Sequence, residues 1–310
     1  MNKIIYSLLI AIGFITTVQA QSNWHQSLYM EHEAFMNPAS MTQKTHLNGA
    51  LFYKKQWVNI KNAPTFQGFS VQSPIMGLNN YVGLRLTNDL VGINHFTSIE
   101  ASYAYRFTFD KKSYLSLGLT AMAYLMQSNY SELALQDAND EVFSEDTPTF
   151  VKPNFNFGAL YTHPKFYVGF YTSKLLDNQI YNTNGFQADT QFDLSKIQYN
   201  LHAGTTLKLA NGFVVLPSAL FKQIAGSPLQ IDLTTRVQYK KKIGIGVGYR
   251  TEKIAYGIFE LRINDYIKLA YAYDYDFTDL KDFSAGSHEI MLIWDIPNER
   301  NDVIVDSPRF

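Results

Sequence analysis

Histidine is a common metal ligand and the side chain best suited to proton transfer near neutral pH, and this chain has seven. They are His25, His32, His46, His95, His163, His202 and His288. None stands in the His-x-x-x-His spacing that brings two imidazoles onto one face of a helix. His25 and His32 are seven residues apart, and we interpret them as exposed polar residues of an irregular segment. The sequence therefore predicts no metal site.

The adjacent residues Ser287 and His288 come nearest to a serine nucleophile beside its base. They fall in a segment with strand periodicity, and neighbouring residues of a strand point to opposite faces. The two side chains therefore cannot bond directly to each other. The chain has no Gly-x-Ser-x-Gly elbow and no cysteine, which also removes thiol nucleophiles and disulfides. We predict a protein that is not an enzyme.

Acidic side chains are concentrated in the longest predicted loop, as Asp137, Asp140, Glu141, Glu145 and Asp146. Their spacing lacks the glycine and the terminal glutamate of a calcium-binding loop. We interpret them as solvated charge, with weak cation binding or contact with a partner as alternatives. The predicted loops also carry aromatic side chains suited to recognition. The candidate partner-binding residues are Tyr130, Phe143, Phe150, Tyr181 and Phe186.

The elements that must position these residues are strands, because polarity alternates with a period of two over most of the chain after residue 44. From 229 to 240, the odd positions are mostly Leu, Ile, Val and Tyr, and the even positions are all polar. Such runs have about the 9 to 11 residues of a tilted transmembrane strand. Strands of a soluble β-sandwich are usually about 5 to 6 residues long, with a charged outward face.

Fourteen such runs are predicted, an even number as in bacterial outer-membrane barrels. They are 45–56, 65–73, 79–88, 95–109, 112–126, 153–163, 165–173, 197–209, 212–222, 227–239, 242–251, 253–263, 265–276 and 287–296. The longest connections, 127–152 and 174–196, follow odd-numbered runs, and tight turns follow the even-numbered ones. This parity predicts an all-β fold, a transmembrane antiparallel β-barrel over residues 45–296 with its ends in the periplasm and its long loops outside.

Charged positions on the strands should point away from lipid, because Lys or Arg on the lipid face at mid-bilayer costs roughly 2–4 kcal/mol. We therefore predict a lumen lined by Glu100, Arg106, Asp232, Arg236, Arg250, Glu260, Arg262, Lys268 and Asp274. Their signs nearly balance, so they can pair, which favours a plugged lumen. The register of 253–263 stays open, because its apolar residues Ile254, Tyr256 and Ile258 share the parity of two charged residues.

The composition agrees with a membrane barrel. Aromatic residues make up 15% of the chain and charged residues only 17%, against about 25% charged residues in soluble domains. Tyr and Phe suit a surface that is partly lipid and partly water. After the first twenty residues, no stretch is long and apolar enough for a transmembrane helix. The net charge of −1 argues against nucleic acid as a partner.

The first twenty residues have the pattern of a signal peptide. Lys3 precedes an apolar run from Ile4 to Val18, and the run closes with small residues at the positions a signal peptidase recognises. The alternative, a short membrane anchor, needs about 20 apolar residues. We predict a signal peptide over 1–20, a periplasmic irregular segment over 21–44 and a C-terminal tail over 297–310.

Short motifs occur in a set order along nearly all of the remaining chain. They include Asn37, Pro38, Ala39, Gln56, Trp57, Pro64, Tyr249, Arg250, Asp274, His288 and Glu289. Their order and spacing resemble the PorP/SprF family of type IX secretion system membrane proteins. Two features depart from that pattern. Ser40 to Thr42 stand where the family often has a glycine, and Lys54 and Lys55 stand where it has an arginine, which keeps the charge but loses a bidentate contact.

The resemblance implies an outer-membrane, non-enzymatic component of a type IX secretion machine that supports secretion, or delivers and holds a large surface adhesin, in some cases one used for gliding. The implied partners are outer-membrane lipid and secretion components or such an adhesin, and no cofactor is implied. A channel or transporter for small or hydrophobic solutes is the alternative, favoured by the polar face of the strands. A third hypothesis is an outer-membrane hydrolase that uses His288.

Overall fold

A computed structural model describes residues 25–109, 113–132, 146–182 and 186–296, which form a closed antiparallel β-barrel of fourteen strands. The strands in chain order are β1 Leu47–Lys55, β2 Thr65–Ile75, β3 Asn80–Val91, β4 Asn94–Thr108, β5 Tyr114–Ser128, β6 Phe150–Thr162, β7 Phe166–Ser173, β8 Asp177–Asn182, β9 Phe186–Gln191, β10 Gln198–Thr205, β11 Leu207–Lys208, β12 Phe213–Gln223, β13 Gln230–Tyr239, β14 Ile243–Arg250, β15 Ile254–Arg262, β16 Ile267–Asp276 and β17 Ser287–Ile296. Strands β8 and β9 pair only with each other, and β11 is a two-residue strand beside β12. The other strands pair in sequence, and β1 with β17 closes the barrel.

The fourteen predicted runs are confirmed, because each overlaps one barrel strand and the ends of run and strand agree within four residues. The two longest connections, 129–149 and 174–197, lie at the end of the barrel opposite to its first and last residues. We call this the loop end and the other the turn end. The hairpin β8–β9 was not predicted, because its strands have only six residues each and lie outside the barrel wall.

The strands present apolar side chains outward and polar side chains inward. In β14, Ile243, Ile245, Val247 and Tyr249 are exposed on the outer face, whereas Arg250 is fully buried. Of the charged positions predicted to face the lumen, Glu100, Arg106, Asp232, Arg236, Arg250, Glu260 and Asp274 are buried. Among the described residues, no helix is long and apolar enough to cross a membrane.

A charge placed on the outer face tests the wall directly. Val247 is 69% exposed on β14, and Val247→Arg should lower the free energy of unfolding by about 2–4 kcal/mol, because the guanidinium would enter hydrocarbon. The measurement is guanidinium unfolding of the protein in lipid vesicles. Thr251→Arg, in the adjacent turn, is the matched control. Equal stability of the two variants would contradict a lipid-facing position for Val247.

Strand β15 has a regular register, which resolves the position left open by the sequence. Tyr256, Ile258 and Glu260 all point inward and are buried, while Gly257 and Phe259 face outward. Two inward positions are apolar because part of the lumen is filled by apolar side chains of the chain itself. Inward and outward residues therefore alternate in β15 as in the other strands, but two of its inward residues are apolar instead of polar.

Residues 25–46, here called the luminal segment, run through the inside of the barrel. They contact inward side chains on opposite walls, including Glu289 in β17, Arg236 in β13 and Ser116 in β5. A segment can reach all three only from the lumen. We expected 21–44 to be periplasmic, and its described part lies in the lumen instead, because its polar groups are satisfied by the polar inner wall. The predicted signal peptide and C-terminal tail lie outside the described residues.

Candidate functional site

The luminal segment has little regular structure and is shaped by two short 3-10 turns, Glu33–Phe35 and Pro38–Gln43. Asn37 caps the second turn, since its side-chain oxygen accepts a hydrogen bond from the Ala39 amide at 3.0 Å. Proline follows at the first position of the turn, where its missing N–H leaves no donor unpaired. The Asn-Pro-Ala motif is therefore a local folding signal of the luminal segment.

Tight contacts surround this motif. A Cβ added to Gly158 of β6 would lie 2.0 Å from the Asn37 side-chain oxygen, and one added to Gly118 of β5 would lie 2.5 Å from the Ala39 nitrogen. Only glycine leaves room for the turn at these two wall positions. The Asn37 amide also donates to the Ala159 carbonyl oxygen at 3.2 Å. The motif and the two glycines thus form one interlocked contact between segment and wall.

Nearer the loop end, Glu289 of β17 holds the start of the luminal segment. Its two carboxylate oxygens accept hydrogen bonds from the backbone amides of Ser27 and Leu28 at 2.8 and 2.9 Å. Lys54 of β1 lies 3.3 Å from the same carboxylate and donates to the His25 carbonyl oxygen at 2.6 Å. A wall carboxylate and a wall ammonium therefore fix three consecutive peptide units.

Arg250 of β14 is the largest fully buried side chain among the described residues. Its Nε donates to the Asp232 carboxylate at 2.8 Å, and its Nη2 donates to the Ser27 hydroxyl at 3.3 Å. Asp274, 4.0 Å away, pairs with Lys54 at 2.7 Å. Together with Glu289, these two cations and three carboxylates from five strands form one charge network beneath the loop end.

Midway through the lumen, the carboxylate of Glu31 is fully buried and reaches two cations of the wall. It contacts Arg236 of β13 and Lys268 of β16, and Arg236 also contacts Glu260 of β15 at 3.1 Å. Gln238 donates to Glu260 at 2.7 Å. The luminal segment therefore supplies a charge that the wall network needs.

At the turn end, the segment leaves the lumen through a further set of bonds. The hydroxyl groups of Thr42 and Ser116 are 2.5 Å apart, and both residues are fully buried. Lys44 and His46 lie 3.3 and 3.2 Å from the Asp295 carboxylate of β17. The segment is thus bonded to the wall along its whole length.

Apolar packing adds to these bonds. One buried cluster joins the segment residues Leu28, Tyr29, Met30, Phe35 and Met36 to the wall residues Ala50, Phe52, Phe66, Tyr171, Leu220, Tyr256, Ile258, Ala270, Ala272, Met291 and Ile293. Several wall members are alanines, which leaves room for the large side chains of the segment. The lumen therefore has a packed core rather than a water-filled channel at this level.

His25 marks the loop end of the luminal segment, where its Nε2 lies 3.1 Å from the Glu252 carboxylate in the turn after β14. Burial raises the pKa of Glu252. His25 and His32 are both buried inside the barrel, so the interpretation of the two as exposed residues is wrong.

Two of the predicted partner-binding residues meet across the long loops. The rings of Tyr130 and Phe186 stack with centroids 5.6 Å apart and planes 10° apart. Phe150 begins β6 and is partly buried, and Tyr181 lies in β8. Phe143 is outside the described residues. The structure thus joins the connections after β5 and β7 through one aromatic pair.

Three of the remaining motif positions, Gln56, Trp57 and Pro64, have structural roles at the loop end. The Gln56 amide donates to the Pro64 carbonyl oxygen at 2.9 Å, which closes the loop between β1 and β2. The Trp57 amide donates to the Ser287 hydroxyl at 3.2 Å. Tyr249, the motif neighbour of Arg250, is exposed on the outer face.

His288 gives no support to hydrolase chemistry. It points outward, where its Nδ1 lies 2.7 Å from the Tyr271 hydroxyl, while Ser287 is buried and bonded to the Trp57 amide. The two side chains therefore lie on opposite faces of β17, as the strand geometry predicted. Within the described ranges, no three His, Asp or Glu side chains are grouped as a metal site.

Comparison with known proteins gives a family and a fold. A family model described as type IX secretion system membrane protein PorP/SprF matches residues 18–294. The chain is similar to the toluene transporter TbuX of Ralstonia pickettii, with TM-score 0.51 and 8% identity over 84% of this chain and 92% of that one. It is also similar to Omp33 of Acinetobacter baumannii, with TM-score 0.46 and 7% identity over 82% and 100%. No curated protein matches it.

Proposed function

The chain belongs to the PorP/SprF family of type IX secretion system membrane proteins and has the fold of an outer-membrane β-barrel, and we propose that it is a plugged barrel that docks a partner protein. In this proposal it is a non-enzymatic component of the secretion system. It supports secretion of the partner or its attachment at the cell surface, and a large adhesin is the partner class we favour. Export through a signal peptide over residues 1–20 is part of the same proposal.

The observation that carries the proposal is the luminal segment. Ion pairs, hydrogen bonds and an apolar cluster hold it to the wall from the loop end to the turn end. A barrel filled in this way is a rigid support rather than a wide conduit. The exposed loops are then the surface that remains for recognition, and loops on a rigid scaffold commonly carry binding residues.

Removing the aromatic pair of the loops should weaken capture of the partner. The double variant Tyr130→Ala/Phe186→Ala should recover roughly tenfold less partner from solubilised outer membranes, because buried aromatic anchors dominate binding energy at interfaces. The matched control is Phe213→Ala/Tyr239→Ala, a pair at the turn end with ring centroids 4.8 Å apart. The measurement is affinity purification of the tagged full-length protein with quantification of the proteins recovered.

Recovery of neither a secretion component nor a surface adhesin with the wild-type protein would contradict the proposal. Equal losses in both double variants would show that the loop pair has no special role.

Transport of a small or hydrophobic solute is the second candidate, and the feature that favours it is a cavity at the loop end. The similarity to a toluene transporter supports only the fold. Planar-bilayer recordings distinguish the two candidates. A docking barrel should show no discrete conductance steps of porin size, whereas such steps, or solute uptake into liposomes, would favour transport.

A further inference from the structure

Between the middle of the luminal segment and the loop end, the barrel holds a cavity of about 520 Å³, here called the vestibule. Its lining includes residues from the loop-end halves of β2 to β5 and from the connections after β7 and β12. Cavities of roughly 300–1,000 Å³ are the size of small-ligand sites in proteins. The vestibule is therefore large enough for a ligand and lies at the loop end of the barrel.

The luminal segment forms the floor of the vestibule. Phe35 and Met36 lie there, and Met36 accepts a hydrogen bond at its sulfur from the Tyr171 hydroxyl at 3.4 Å. Arg85 of β3 donates to the carbonyl oxygens of Ala34 and Phe35. The floor is thus held in place by the wall and does not depend on a ligand for its shape.

One wall of the vestibule is aromatic. The rings of Phe96 and Tyr124 stack with centroids 5.8 Å apart and planes only 3° apart. The Lys174 ammonium lies 4.6 Å from the centre of the Tyr124 ring and donates to its hydroxyl at 3.0 Å. An apolar surface therefore adjoins the Lys174 ammonium at the loop end of β7.

The vestibule is lined by more basic than acidic side chains. Arg85 and Glu100 pair with each other near the floor. The remaining charged residues of the lining are three lysines, Lys174, Lys196 and Lys222, and two aspartates, Asp89 and Asp177. Lys174 and Lys196 are exposed, whereas both aspartates are partly buried. The part of the vestibule lined by Lys174 and Lys196 therefore favours an anion, while the floor and the wall formed by Phe96 and Tyr124 favour an apolar group.

We propose that the vestibule binds an amphiphilic anion, a carboxylate attached to an aromatic or aliphatic body. The body packs against Phe96, Tyr124 and the floor, and the carboxylate pairs with Lys174 and Lys196. Such a group is offered either by a free aromatic acid or by an acidic residue beside an aromatic one in an inserted peptide. The proposal does not require a secretion partner and so goes beyond the docking function.

The test uses 4-(trifluoromethyl)phenylacetate and fluorine NMR on the full-length protein in phosphatidylcholine nanodiscs. The acid should bind in a 1:1 ratio, and the matched cation 4-(trifluoromethyl)benzylammonium should bind at least about tenfold more weakly. Lys174→Gln/Lys196→Gln should weaken binding of the acid about tenfold, which is the loss expected for a charge-assisted bond. Lys240→Gln/Lys241→Gln, in an exposed turn at the other end, should leave binding unchanged.

Equal binding of acid and amine, or equal affinity in the two lysine variants, would overturn the proposal. A second arm uses the peptide acetyl-Phe-Asp-Phe-amide as a competitor of the acid. Displacement at lower concentration than the free acid indicates an inserted peptide as the source, and the reverse order indicates a small molecule. Both double variants change only exposed lysines, so a loss of binding can be separated from misfolding by their unchanged unfolding midpoints.

Discussion

Arg250→Met should lower the free energy of unfolding by about 3–5 kcal/mol, because it leaves the Asp232 carboxylate buried without its cation. Methionine has a similar length and stays apolar, so the loss reports the charge rather than a cavity. Asp274 keeps a partner in Lys54, which confines the damage to one carboxylate. The measurement is the guanidinium unfolding midpoint of the protein in detergent micelles.

The rescue variant for this substitution is Asp232→Asn/Arg250→Met. Removing both charges of a buried pair is often nearly neutral, so most of the stability should return. Arg262→Gln is the control for loss of an arginine, because among the described residues the Arg262 side chain donates to the Lys241 carbonyl oxygen near the turn end and pairs with no carboxylate. If the single variant Arg250→Met were as stable as the control, the buried ion pair would not support the barrel.

Glu31→Gln should have an effect of similar size, about 3–5 kcal/mol, although it changes a residue outside the barrel wall. The buried carboxylate of Glu31 contacts Arg236 and Lys268, and its loss leaves Lys268 without its anion. Arg236 keeps Glu260 as a partner. The same unfolding midpoint measures the change.

Glu31→Gln/Lys268→Met should regain most of the stability lost in Glu31→Gln, since it removes the orphaned cation. A surface location of the luminal segment gives the opposite expectation, because an exposed ion pair is worth roughly 0–1 kcal/mol. A loss of that size in Glu31→Gln, with no recovery in the double variant, would therefore place the segment outside the lumen.

The barrel was predictable from the sequence because its signal is repetitive. Each strand adds another alternating run, and the even count and loop parity are independent checks on the register. Strand β15 shows where such reasoning weakens. Its inward residues Tyr256 and Ile258 are apolar because residues distant in sequence pack against them. A local sequence pattern gives no information about such a contact.

The luminal segment was not predicted for the same reason. Its residues lack a period, and irregular polar segments are ordinarily exposed. Its contacts join positions separated by up to 262 residues, such as Ser27 and Glu289. The available signal was the pairing of the Asn-Pro-Ala motif with two wall glycines, and only the fold brings those glycines beside it.

Most of the motif positions have their explanation in the luminal segment. Asn37 and Ala39 shape it, while Arg250, Asp274 and Glu289 belong to the charge network that holds it. The family pattern thus describes a barrel and its plug as one folded unit. The candidate partner-binding residues lie outside that set of motif positions.

A disulfide between the luminal segment and the wall tests this account most directly. The Thr42 and Ser116 hydroxyl groups are 2.5 Å apart, and the chain has no cysteine of its own. In Thr42→Cys/Ser116→Cys, the two sulfurs should form a disulfide in the oxidising periplasm with little rearrangement. Thr42→Cys/Ser128→Cys, with the second cysteine at the far end of β5, is the control.

The measurement is the fraction of cysteines that stay unalkylated when outer membranes are denatured in the presence of the alkylating reagent, so that burial alone protects no thiol, followed by mass spectrometry of the linked peptides. A segment inside the lumen predicts nearly complete cross-linking between the two introduced cysteines of Thr42→Cys/Ser116→Cys and free thiols in the control. Free thiols in both variants would contradict the plugged barrel.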